Sequence, residues 1–527
     1  MANTSETINT RWKNACRVLF GEEVGDITKF VPWLTRLNEP VYHRKTSISG
    51  KEVSYAHIDY SEKSKWISFD EIDFGKKYSP LSINEIKDID SIVSALSDRF
   101  YYAGNVILGN SGFVEKSANI SDSFYMYETT GLTDSKYIGY STHGRLNEDC
   151  FGCNGIGESQ FCIKCCETFH NKRCFELWMG QYCSDCYYSH NLSACQDCFF
   201  CFNVKNMRNA IGNLALEKSK YLQLKKKLLS EMAQMLRDDK QLPTLVEIVQ
   251  KSTLDSNTVK AKLSAAKKSE AFDKKEIEEA FQKTTSIILG KPLYHGIDNY
   301  SEWLKKHTRK NEACSSVFSK TQLHRWDYCC YFELPKDRLV TIDEAIAIGA
   351  GSAISSSEAE TFGIKTAHQM IGDIAFFSPE YKDGTNLNLS ECPNASDSMN
   401  CYRSSPIVYS KYCGYSFWPR SSEYAFGCGA LLSSQFCINC YHSVKLTRCF
   451  ELDSSRNCSD CLFSHNIENC QDCMFCFNVK NMKYVVGNIE VGKEQYARIK
   501  KLVLEEIVRK VESGKLVPDI YSIGVSV

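Results

Sequence analysis

Residues 111–216 repeat with a period of twelve that never slips. Cys150, Cys162, Cys174, Cys186 and Cys198 fall in one column, extended by Met126 and Ile138 before them and Ala210 after. Residues 386–491 repeat the pattern with Cys401, Cys413, Ala425, Cys437, Cys449, Cys461, Cys473 and Val485. A beat this short and this strict restricts the chain to stacked coils, a β-solenoid of about nine coils in each copy.

A second period of three runs inside each dodecad. Every third residue joins one of four columns, for example Ser123, Ser135, Asn147 and Ser159 on one side of the cysteines and Thr129, Ser141, Cys153 and Cys165 on the other. Four columns of nine coils in two copies hold 4 × 9 × 2 = 72 positions, and none is charged. At the chain's 24% charged residues about 17 charges would fall there by chance, so these columns face an interior. Strands about 4.8 Å apart make nine such coils a rod of roughly 43 Å, unless two dodecads share each rung. The geometry is similar to the insect β-helical antifreeze proteins. The flat outer threonine ladder of those proteins is missing, so ice binding does not follow.

The whole chain is a tandem duplication. RWKNACRVLFG (11–21) answers AFQKTTSIILG (280–290), Trp33-Leu34 answers Trp303-Leu304, and ISFDE (67–71) answers VTIDE (340–344). GNLALEKSKYLQLKKKLLSEM (212–232) returns as GNIEVGKEQYARIKKLVLEEI (487–507). The expected fold class is α+β, each copy a mixed α/β cap, a solenoid and a capping helix over the open end of its rod. The linear segmentation is 1–110 cap, 111–216 solenoid, 217–279 helical connector, 280–385 second cap, 386–491 second solenoid, and 492–527 C-terminal helix and tail.

Lys+Arg 63 against Asp+Glu 64 leaves a net charge of −1, which gives no global attraction to nucleic acid or an anionic membrane. The N-terminus lacks a secretory apolar core and no apolar run is long enough to span a bilayer. The expectation is a soluble, cytoplasmic protein, with a virion component also compatible. Of 27 cysteines, all but Cys16, Cys166, Cys314, Cys329 and Cys330 stand in the four columns, which is a packing pattern of free thiols acting as small hydrophobes.

The strongest motif is CQDCFFCFNVKNM (195–207), repeated as CQDCMFCFNVKNM (470–482). Cys183, Cys186, Cys195, Cys198 and Cys201, with Cys458, Cys461, Cys470, Cys473 and Cys476, carry the spacing of a zinc site. Against zinc, thiols three apart in a tight coil lie on different inner walls, with no knuckle around a metal. Cys195 with Cys201, and Cys470 with Cys476, face each other across the coil and would crosslink on oxidation. One residue past the cysteine column runs an apolar ladder that includes Phe151, Phe175, Tyr187, Phe199, Phe426, Phe450 and Met474. So long a stripe is either buried against the caps and helices or a docking surface for a partner or a second copy. Asn203 and Asn478 suit left-handed corners, while Lys205 and Lys480 are candidate contact residues. The run AIGAGSAISSS (347–357) lacks both GxGxxG and a P-loop Lys-Ser/Thr, and no catalytic triad, HExxH or carboxylate pair is present.

The blocks DCFGCNG, CSDCYYSHN and FNVKNM followed by a K-x-x-Y helix resemble a group of uncharacterised cysteine-rich dodecad-repeat proteins of bacteria, archaea and phages. The resemblance covers about half the chain and implies no activity. The expectation is a non-enzymatic structural or interaction scaffold without a cofactor, binding another protein or itself. The alternative is a zinc-binding module contacting nucleic acid, and an enzyme with a site between cap and rod is a third.

Overall fold

The computed structural model describes residues 3–79, 86–149, 151–152, 159, 163–164, 172–263, 272–327 and 333–525. The column cysteines Cys150, Cys153, Cys162 and Cys165, with Cys166, Cys329 and Cys330, lie outside them. Helix and strand are mixed throughout. The chain forms two compact units, each discontinuous: Met1–Val41, Asn110–Ser269 and Glu312–Tyr381 in the first, Tyr42–Gly109, Glu270–Asn311 and Lys382–Val527 in the second.

That division departs from the linear segmentation. Residues 1–110 are not one cap module, nor are 280–385, because each is cut near its first third. Each repeat region keeps the leading helix of its own copy and takes its strand-bearing cap from the other. Backbone hydrogen bonding is the physical reason. Ala103 N–H donates to His465 Nε2 at 2.8 Å, and Tyr101 O accepts from Asn478 Nδ2 at 2.8 Å. In the first unit Ser378 N–H donates to His190 Nε2 at 3.2 Å, and Phe376 O accepts from Asn203 Nδ2 at 3.0 Å.

Within each repeat region, parallel strands pair at a register of twelve, as in Ile138 with Met126, Cys186 with Cys198 and Cys437 with Cys449. The backbone turns at every third residue by entering the left-handed region. Asp134, Tyr137, Tyr140, His143, Leu146 and Asp149 all have φ between +53° and +61°. A residue with a Cβ gives up about 1–2 kcal/mol there. Two ladders offset it. Asp134, Tyr140 and Leu146 each donate N–H to the carbonyl thirteen residues back at 3.1 Å, and Lys136 N–H reaches Asn147 O ahead of it at 2.9 Å. Ser135, Ile138, Ser141 and Asn147, each following such a corner, are buried.

Inside, cysteine and serine are interchangeable for a definable reason. Cys186 Sγ donates to Ser184 O at 3.4 Å, and Ser422 Oγ donates to Arg420 O at 3.0 Å, each to the carbonyl two residues back. Serine also accepts from the next rung, as in Ser422 N–H to Ser410 Oγ and Ser434 N–H to Ser422 Oγ, both at 3.2 Å. The column cysteines among the described residues are free and buried. The repeat regions finish in antiparallel turns, Ile211 with Leu214 and Val486 with Ile489.

The apolar ladder is core, not surface. Phe151, Phe175, Tyr187, Phe199, Phe426, Phe450 and Met474 retain at most 1% exposure, so they are not the docking residues that one reading of the sequence made them. The helix Thr4–Phe20, started by an Asn3/Glu6 capping box and stopped by left-handed Gly21, lies along the ladder. Its Trp12 ring meets Phe151 at 5.6 Å, and Phe20 meets Phe175 at 5.8 Å. In the second unit Lys274–Leu289, ending at left-handed Gly290, places Phe281 5.2 Å from Phe426. The helices Lys218–Asp239 and Lys493–Glu512 extend the cover. Among the described residues no helix is long and apolar enough to cross a membrane.

Candidate functional site

Asp453 and His465 occupy registered positions on the parallel strands Tyr441–Asp453 and Leu462–Glu468 of the second unit. Neighbouring rungs therefore stack their side chains, and His465 Nδ1 lies 2.8 Å from Asp453 Oδ2. His465 Nε2 accepts the Ala103 N–H, so the ring proton sits on Nδ1 and is donated to the carboxylate. Tyr60 donates to the same oxygen, Ser454 Oγ donates at 3.0 Å, and Tyr521 OH lies 3.4 Å from Oδ1. Burial alone would raise Asp453, but these donors, His465 first, hold it below the usual carboxylate range.

A second layer connects this buried group to solvent. His307 Nδ1 lies 2.6 Å from Asp59 Oδ2, and its Nε2 lies 3.3 Å from Asp519 Oδ1. Burial opposes its charge, yet the hydrogen bonds to Asp519 and Asp59 outweigh it and carry the imidazole to about 9. Lys306 also pairs with Asp519. His57 stacks on Tyr521 at 5.0 Å and is lowered by burial. Beneath them Glu451 accepts from Ile520 N–H and Asn439 Nδ2, both at 2.9 Å, and burial raises it to about 8. His57 and His307 keep 15% and 10% of their side-chain surface, while Asp453 and His465 keep none.

The first copy acts as an internal control. It retains the buried glutamate and histidine as Glu176 and His190, and Glu176 likewise accepts the Leu245 N–H. Burial raises Glu176 to about 7 and lowers His190 to about 3. It carries Trp178 where the second has Asp453, and Leu37 where the second has His307. The glutamate and histidine are thus pins common to both copies, and the remaining acid–histidine group belongs to the second alone. Alignment extends further than the terminal helices: KQLPTLVEIV (240–249) matches KLVPDIYSIG (515–524), which brings Leu245 and Ile520 to the same glutamate.

Chemically, the group is closed. Both nitrogens of His465 are engaged, Asp453 receives donors on both oxygens, and among the described residues none of His57, His307 and His465 hydrogen-bonds a serine or cysteine side chain. The arrangement fastens the cap strand and the C-terminal segment to the repeat region, with protonation tied to both contacts.

The zinc spacing brings thiols together without enclosing a metal: among the described residues no group of three or more His, Cys, Asp or Glu side chains is arranged to hold a metal ion. Cys195 has Cys183 and Cys198 as sulfur partners, and Cys470 has Cys458 and Cys473, so thiols meet along walls and between rungs. Lys480 pairs with Glu468 at 2.8 Å and lies 4.7 Å from the Phe74 ring, whereas Lys205 is exposed. Asn203 and Asn478 are left-handed, with φ of +58° and +60°. The glycine-rich run is a close approach: a Cβ on Gly349 would come within 2.0 Å of Asn203 O. The first unit also holds adjoining clefts of 620 and 600 Å³ that share Met235 and Lys365. Internal contacts occupy two side chains of the first, Lys227 on Phe362 O at 2.8 Å and Glu231 on Ile364 N–H at 2.9 Å.

The acid–histidine group was missed from sequence because its members come from separate stretches, near residues 57–60, 307, 451–465 and 519–521. The signal that could have found it is the disagreement between aligned copies at Leu37/His307 and Trp178/Asp453. Comparison with family models, with curated proteins and with solved structures finds no match for this chain.

Proposed function

We propose that the protein is a non-enzymatic scaffold, a duplicated β-solenoid that presents rigid surfaces for assembly or for binding another protein. The observation that carries this reading is the twelve-residue register among the described residues, whose inward serines and cysteines are hydrogen-bonded to the backbone. A core held by such ladders resists local opening, which suits presentation better than a reaction that needs a mobile, accessible base. The closed acid–histidine group supports the same reading, since its polar atoms hold the protein's own segments.

Outward corners supply the surface. Phe113, Tyr125 and Tyr137 stack at 4.5 and 4.9 Å in the first unit, and Tyr412, Tyr424 and Phe436 at 4.8 and 4.5 Å in the second. Rings stacked on one another offer edges rather than faces, which favours a protein partner over bases that need an open face. Free buried thiols suit a reducing, cytoplasmic compartment.

Hydrogen exchange on the full chain, with crosslinking of its native complexes, tests the proposal. Slow exchange along the ladders and crosslinks that map to outward corners are expected. Substrate turnover abolished by His57→Ala or His307→Leu would refute it.

A further inference from the structure

The two copies set one glutamate of their terminal helices against the same backbone group. Glu231 accepts the Ile364 N–H at 2.9 Å, and Glu506 accepts the Ile89 N–H at 2.8 Å. Around that fixed point the second unit closes on itself. Asp88 caps the helix Ile89–Leu96, and Lys510 lies 2.9 Å from Glu506 and 4.0 Å from Asp90. The first unit has Gly363 for Asp88, Lys365 for Asp90, Ser230 for Glu505 and Met235 for Lys510. The capping carboxylate is lost, and a cation stands where a helix start favours an anion. The segment after Ile364 accordingly forms no α-helix, only a turn from Thr366 N–H to Gly363 O and the 3-10 turn Ala367–Gln369. The clefts of 620 and 600 Å³ open at this place.

The charges bordering the clefts divide into engaged and spare. Arg36 and Glu247 pair at 2.6 Å, while Lys227 holds Phe362 O and Glu231 holds the Ile364 N–H. Lys365 borders both clefts and is exposed; among the described residues its side chain makes no hydrogen bond or ion pair, unlike Asp90 at the matching place. In the first cleft the hydroxyls of Ser230 and Thr366 accompany it, and the acid there, Glu231, is already engaged. The second cleft continues from half-buried Met235 to Leu242, Pro243 and Ile248. Its further charges are exposed Asp239 and exposed Lys251.

We infer that the joined clefts bind a small aliphatic anion, with a carboxylate or phosphate head on Lys365 in the first cleft and a hydrocarbon chain over Met235 in the second. Each cleft falls within the ~300–1,000 Å³ that small-molecule sites occupy. An exposed ion pair alone holds little, so the apolar floor supplies most of the affinity and the lysine selects the sign of charge. The second unit shows what completes such a place. There Lys510 meets a carboxylate of the chain itself, whereas in the first unit Lys365 has no such counterpart and the ligand provides it. Among the described residues neither cleft presents an aromatic ring, so a nucleobase would have nothing to stack on. The site uses none of the outward corner rings, so it stands or falls independently of the scaffold reading.

The full chain, labelled at its methionine methyl groups, should be titrated at low salt with octanoate, octyl phosphate, inorganic phosphate and octanol, with Met235→Leu assigning the reporter signal. An octyl anion is expected to shift the Met235 methyl along a single saturating curve below about 10 mM, the tighter of the two identifying the head group. Inorganic phosphate and octanol should each bind at least about tenfold more weakly. Calorimetry then follows the variants. Lys365→Asp, which installs the second unit's residue, should weaken the octyl anion by about tenfold or more, and Lys365→Arg should retain it. Met235→Lys/Lys365→Asp, which rebuilds the second unit's ion pair, should abolish binding. Exchange of the Ile364 amide at the wild-type rate certifies the fold of each variant, and the four-probe comparison on wild type needs no variant at all. No shift from either octyl anion, equally tight binding of octanol or of inorganic phosphate, or undiminished binding by folded Lys365→Asp would each overturn the inference.

Discussion

His307 offers a quantitative test of the acid–histidine group. Its environment raises it from 6.5 to about 9, worth about 3 kcal/mol in favour of the folded charged form. Because the folded value is the higher one, this stability is fully present below pH 6.5 and is lost as pH rises through 9. Replacement by leucine, the residue at the matching position of the first copy, removes the charge that serves both Asp59 and Asp519. Lys306 still faces Asp519, and Arg309, His57, Glu451, Tyr441 and Tyr521 remain around the site in both proteins; Glu451 and His57 are coupled to His307, so the difference reports the group titrating together. Urea unfolding of wild type and His307→Leu at pH 6 and pH 10, followed with hydrogen exchange at the Ile520 amide, gives the comparison. The variant should be about 3 kcal/mol less stable at pH 6 and within about 1 kcal/mol of wild type at pH 10. Parallel stability profiles across that interval would show that His307 carries no charge in the folded protein, and the reasoning would fail.

Three further outcomes follow from named contacts. Glu451, raised by burial to about 8, destabilises the fold as pH rises from 4.5 through 8, so Glu451→Gln should flatten that loss, a few kcal/mol, in the exchange rate of the Ile520 amide. Phe199→Ala empties a fully buried position that stacks on Tyr187 at 4.4 Å, and chemical denaturation should show a loss of about 3–5 kcal/mol. Ser422→Ala strips the acceptor from Ser434 N–H at a buried rung and should lose about 1–3 kcal/mol, whereas Ser422→Cys, the residue type of Cys458 and Cys470 in the same column, should lose less by the same assay.

What sequence could reveal depended on whether the cause was periodic. The inward columns were legible because a missing charge at every third position repeats across nine coils, and Cys186, Cys198, Cys437 and Cys449 stand buried as that pattern required. The left-handed corners were not legible beyond the asparagines. Tyr137 and Arg448 adopt positive φ because rungs on both sides hold the backbone, not because their side chains favour it. The apolar ladder was legible as a stripe, but its burial became certain only when Trp12, Phe20 and Phe281 were seen on it. The exchange of cap segments had no local signal, because the donors are backbone N–H groups of Ala103 and Ser378, which any residue but proline supplies.

That exchange gives the duplication a physical consequence. The histidine pin, His190 in one repeat region and His465 in the other, receives its N–H from a cap segment encoded in the opposite copy. Neither half of the chain therefore contains both partners of its own pin, and each compact unit is complete only when both halves are folded. The second unit carries a titratable group of Asp453, His307 and Asp519, where the first has Trp178, Leu37 and Thr244 at the matching places. The column cysteines Cys183, Cys186, Cys195 and Cys198 have not diverged, returning as Cys458, Cys461, Cys470 and Cys473 with the methionine that follows each set.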